Sequence, residues 1–126
     1  MSLRSPLNQV IGRGSARNGV HHWWVQRVSA VALIPLAIWF MYEMVRLPLA
    51  DYAAVTVFVS WGWHPIALTL LMLVAAYHSQ LGVQVVIEDY VHTKGQKVIA
   101  LLASSFTHGL LAVAGVYAVL RIALRS

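Results

Sequence analysis

The sequence contains no cysteine. That excludes disulfides, thiolate zinc sites, cysteine-ligated iron–sulfur clusters and a cysteine nucleophile. Any metal must rely on six histidines, a few carboxylates or methionine. Charge is scarce as well. Only 10% of the 126 residues are Asp, Glu, Lys or Arg, against about 25% in a soluble domain. There are four acidic residues, and the first is Glu43. The chain has no Ser/His/Asp set, phosphate-binding loop or metal-protease motif. Its polar part is too small to hold a dinucleotide or a flavin. It has no hydrolase site, and any redox chemistry needs a bound cofactor or partner subunits. Internal repeats and low-complexity segments are also absent.

The chain is instead 60% hydrophobic, and the apolar residues fall in three long blocks. Together they predict an all-α membrane protein of three transmembrane helices, a single domain over residues 1–126. The first span is expected over about Val25–Leu47, with Arg27, Glu43 and Arg46 near its ends, where long basic side chains reach the headgroups. Trp23 and Trp24 precede it as an interfacial aromatic pair, and Pro35 inside it predicts a kink. The stretch Leu47–Trp63 reads as a loop or a short interfacial helix. The second span runs over Pro65–Ile87, 23 residues without a formal charge. At 1.5 Å per residue such a helix is roughly 34 Å long, enough to cross the hydrocarbon. The segment Glu88–Gly95 is a polar connection, with carboxylates at a helix end that the helix dipole disfavours. The third span is Val98–Leu120.

Positive charge is distributed unequally. Arg4, Arg13, Arg17, Arg27, Lys94 and Lys97 belong to one side of a three-span chain; Arg46, Arg121 and Arg125 belong to the other. The excess predicts that the N-terminus and the basic tail, residues 1–22, are cytoplasmic and the C-terminus periplasmic. Beside a membrane span, such a tail is a topology signal and a partner for the lipid bilayer, not for nucleic acid. The first apolar block begins late, is long and lacks a small-residue cleavage site, unlike a secretory signal. The segment Met1–Asn18 is basic and free of acids, as in a transit peptide, but Met1 is still present. The expected location is therefore a bacterial inner membrane in preference to the mitochondrial inner membrane.

The informative residues are polar groups at membrane depth. His78 is about 13 Å from the inner end of its helix and His108 about 15 Å from the same side. Ionisable groups there are costly and face a protein interior. A neutral imidazole at that depth can ligate a haem iron, relay protons or hydrogen-bond a neighbouring helix. Ala75 and Gly82 flank His78; Ser104, Ala112 and Gly115 flank His108. Small residues admit a flat macrocycle and also serve ordinary helix packing, so these uses stay open for both histidines. His21, His22 and Arg27 lie at the cytoplasmic end, where Arg27 can reach an acidic group or a lipid phosphate. Tyr90 is at that end too, as an aromatic anchor or a donor to a quinone carbonyl. His64 and His92 read as interfacial.

Two motifs resemble a known family. Gly19-Val20-His21 followed by Arg27-Val28-Ser29-Ala30 resembles the start of the small, D-type membrane-anchor subunit of succinate dehydrogenase, complex II. More specific is His78 with glycine four residues on, at Gly82, and Asp89-Tyr90 from the eleventh residue on. The likeness covers about Gly19 to Leu120. It implies a non-catalytic anchor that, with a second anchor subunit (C), holds a flavoprotein and an iron–sulfur subunit on the membrane. It also implies haem b between the anchors, with His78 as this chain's axial ligand to the iron. Tyr90 would contact ubiquinone with Asp89 beside it, and His21 and Arg27 would lie near the haem propionates and the quinone. The resemblance gives His108 no clear role. Two other classes stand beside this reading: a small transporter or proton relay using His78, His108 and Glu43, and an assembly anchor without cofactor.

Overall fold

The computed structural model describes residues 16–48 and 51–125. Arg4 and Arg13 of the basic tail lie outside the described residues. Among those described, the chain is all helical, with α1 Ala16–Arg46, α2 Tyr52–Ser60, α3 His64–Tyr90 and α4 Lys94–Ala123. Helices α1, α3 and α4 are long and apolar enough to cross a membrane. These are the three expected spans, each extended by a few helical residues beyond its uncharged centre.

Helix α1 continues through Pro35. A bilayer tolerates this because neighbouring groups and local adjustments satisfy the freed carbonyl. The stretch after it, read as a loop or a short interfacial helix, folds as the short helix α2. Asp51 caps it, its carboxylate accepting from the Ala53 N–H at 2.9 Å. The turn into α3 passes through Gly62 at φ +47°, a left-handed conformation suited to glycine. Pro65 occupies the first turn of α3, where a missing N–H costs nothing.

The polar connection is shorter than expected. Helix α3 continues to Tyr90 and α4 starts at Lys94, which leaves only Val91, His92 and Thr93 between them. The Lys97 ammonium donates to the Glu88 carbonyl at 2.8 Å, placing a cation at the C-terminus of α3. This offsets the unfavourable position of Glu88 and Asp89.

Helix α3 is the centre of the arrangement. It pairs with α1 on one side and α4 on the other, while α1 and α4 form no pair. The buried hydrophobic residues are few: Ala67, Leu68, Leu71 and Leu81 on α3, Phe58 on α2 and Val119 on α4. Large apolar side chains such as Val31, Ile38, Phe106 and Leu110 point outward. In a bilayer these faces are solvated by lipid or by other apolar chains, so their exposure is not a cost. At one end an aromatic group closes the bundle. Trp39 lies 4.9 Å from Trp63 and 6.1 Å from Phe58, between ring centres. His64 joins it at 4.7 Å from Phe58, its Nδ1–H donating to the Phe58 carbonyl at 2.8 Å. His64 is thus part of the packing that holds α2 against α3.

Candidate functional site

The other end of α1 and α3 is open. Between them lies a groove of about 920 Å³, lined among others by His21, His22, Gln26, Arg27, Ala30 and His78. Its size is in the range of ~300–1,000 Å³ that small-molecule and cofactor sites occupy. His22, Gln26 and Ala30 recur every fourth residue and so share one face of α1. That face meets the face of α3 carrying His78, Leu81, Val85 and Glu88.

His78 is half-buried, and its Nδ1 lies 2.9 Å from the Ser29 hydroxyl. Two other polar atoms of the groove, His22 Nε2 and Gln26 Oε1, are shielded and have no hydrogen-bond partner within the chain. Unpaired polar atoms at such a place are costly, which calls for a partner supplied from outside. Arg27 is exposed, with its guanidinium 5.6 Å from the centre of the Trp23 ring. Gln84 donates to the Glu88 carboxylate at 2.8 Å. Gly82 faces α1, where an added Cβ would meet only Gln26 Nε2, at 3.7 Å.

Thus three of the five residues singled out from the sequence, His21, Arg27 and His78, line one groove. Tyr90 and Asp89 do not. They occupy the exposed last turn of α3, outside that lining. Sequence reasoning passed over Gln26 and Ser29 and left His22 without a role. Their signal was the shared helical face, visible as positions 22, 26, 29 and 30.

His108 has a different environment. Its Nδ1–H donates to the Ser104 carbonyl at 2.8 Å, and its Nε2 lies 3.1 Å from the Ser79 hydroxyl. A carbonyl only accepts, so the proton is on Nδ1 and Ser79 donates to Nε2 in the neutral ring. One residue along, Gln80 donates to the Ser105 hydroxyl at 3.3 Å. Gly115, one of the small residues near His108, has its open side filled by Met72, whose Sδ would be 3.0 Å from an added Cβ. A depression of about 320 Å³ remains beside His108, lined by Gln80, Ser105 and Gly109. Among the described residues, no three His, Asp or Glu side chains converge as a chelating metal site would require. The groove itself holds three imidazoles, those of His21, His22 and His78.

The class defined by these features is a multi-pass helical anchor whose polar groups collect in a groove between two spans. The family model of the succinate dehydrogenase/fumarate reductase transmembrane subunit matches residues 1–116. The succinate dehydrogenase hydrophobic membrane anchor subunit of Rickettsia bellii is 32% identical over 89 residues, covering 71% of this chain and 71% of that one. The subunit of the same description from Rickettsia conorii is 33% identical over 82 residues, 62% of this chain and 63% of its own. That of Paracoccus denitrificans is 28% identical over 124 residues, 98% of this chain and 95% of its own. The chain belongs to the family of succinate dehydrogenase/fumarate reductase transmembrane subunits. Its part in such a complex is to anchor, not to oxidise succinate.

Proposed function

We propose that this chain, with a second anchor subunit, holds the flavoprotein and iron–sulfur subunits on the membrane, contributes one axial ligand to a shared haem b, and borders the ubiquinone site. The observation that carries the haem assignment is the groove. It offers one imidazole with Nδ1 already engaged, two shielded polar atoms without partners, and Arg27 at its edge. This donor set fits a haem. When bound, haem b supplies one-electron storage beside the quinone. His78 would hold the iron through Nε2, and Arg27 and His21 would receive the propionates. Ala30 leaves room for a flat ring, and Leu81 and Val85 add apolar surface to that part of the groove.

Tyr90 and Asp89 are offered outward, where a neighbouring chain would complete the quinone site. The Tyr90 phenol can donate to a quinone carbonyl, with Asp89 next to it. Tyr90→Phe should lower quinone reduction several-fold, as loss of one hydrogen bond of about 0.5–1.5 kcal/mol implies, and spare succinate oxidation with an artificial acceptor. Unchanged quinone kinetics would reduce Tyr90 to an aromatic anchor. The proposed orientation has a cytoplasmic N-terminus in a bacterial inner membrane, supported by the basic residues on that side. Labelling of Lys94→Cys from outside intact cells would reverse it.

The whole reading is tested by purifying the chain from its own membranes with its neighbours. A reduced haem b spectrum with co-purifying flavoprotein and iron–sulfur protein is expected. Purification alone and without haem would leave only the cofactor-free anchor.

A further inference from the structure

Ser29 is the buried polar residue of the described chain, 7% exposed, and it lies in the Arg27–Ala30 motif without an assigned task. Its hydroxyl makes two contacts. It donates to the Gln26 carbonyl, 3.0 Å away and three residues earlier on α1, and it lies 2.9 Å from His78 Nδ1 on α3. A hydroxyl has a single hydrogen but can also accept. With that hydrogen on the Gln26 carbonyl, the contact to His78 requires the ring to donate. The proton is then on Nδ1, and Nε2 presents a lone pair.

We propose that Ser29 is a positioning residue that fixes the Nδ1–H tautomer and the orientation of His78, so that Nε2 is the atom offered to the haem iron. This rests on His78 being the axial ligand. Metal-bound histidines as a rule donate their second ring N–H to a nearby acceptor, which holds the ring and raises its basicity. Here the acceptor comes from a different helix. Ser29 therefore couples the ligand's electronic character to the crossing of α1 over α3. Its backbone partner, the Gln26 carbonyl, keeps the hydroxyl from turning round to donate to the ring.

The test uses the intact purified complex. Ser29→Ala removes the acceptor, makes His78 a weaker donor to ferric iron, and should raise the haem midpoint potential with a shift of the low-spin EPR signal. Ser29→Thr keeps a hydroxyl and should match the parent in both. Haem loss in Ser29→Ala, with a parental haem in Ser29→Thr, would also support the proposal. A parental potential and EPR signal in Ser29→Ala would overturn it. So would Ser29→Thr behaving like Ser29→Ala. His78→Leu is measured alongside: if it retains the parental haem signal, the ligand assignment itself fails and the role of Ser29 goes with it. Loss of haem in His78→Leu with an unchanged Ser29→Ala defeats the Ser29 proposal alone.

Discussion

His78 and His108 occupy neighbouring levels of adjacent helices, yet their surroundings differ. On the α3–α4 side, both ring nitrogens of His108 are engaged, by the Ser104 carbonyl and the Ser79 hydroxyl. On the α1–α3 side, Ser29 meets Nδ1 of His78, and the adjoining groove contains shielded polar atoms without partners. The first region is a seam in which polar groups satisfy one another. The second is incomplete within the chain. Depth in the membrane does not separate the two histidines; the number of ring nitrogens already hydrogen-bonded does.

The largest expected effect sets the two histidines against each other. His78→Leu should remove or disturb the low-spin haem signal in the reduced spectrum of the purified complex, and His108→Leu should leave it nearly intact. The reverse pattern would exchange their roles. Loss in both, with the complex still assembled, would mean that one chain supplies both axial ligands.

A smaller effect separates the two glycines. Gly115→Val would crowd the Met72 side chain, and overpacking of this kind costs about 1–3 kcal/mol. Gly82→Ala would meet Gln26 at ordinary contact distance and should leave stability almost unchanged. Thermal denaturation of the solubilised complex reads both. Equal losses would erase the distinction between a filled seam and an open groove.

The smallest effect concerns Ser79. Removing its hydroxyl from His108 should lower stability by about 0.6 kcal/mol, the average measured for hydrogen bonds between membrane helices. Ser79→Ala should at the same time leave the haem spectrum at its parental form. A spectral shift would show that the seam is coupled to the groove.

Much of this architecture was legible in the sequence because membrane thickness is a strict ruler. Blocks of charge-free residues mark the spans, and counting along a helix gives the level of His78 and His108. The short helix α2 follows from Asp51 at its start and Gly62 beyond its end. What counting does not give is which helix each face meets. The small residues flanking both histidines suited a macrocycle equally well on paper. Packing showed that Met72 fills the space at Gly115, whereas Gln26 only brushes that at Gly82. Rotation about the helix axis also explains the residues passed over. His22 and Gln26 look like ordinary polar residues at the edge of a span until the fold shields one atom of each. Tyr90 and Asp89 lie at the same end of α3 as the groove but outside its lining.

The pairing pattern has one more consequence. Away from the aromatic end, where Trp39, Phe40 and Met44 meet the Phe58, Leu68 and Val119 cluster, the backbone of α1 lies beside α3 and not beside α4. A ligand that binds only when α1 and α3 are together adds its own binding free energy to that association, by mass action. A ligand or a neighbour with that preference would therefore link the folding of the first span to its own binding.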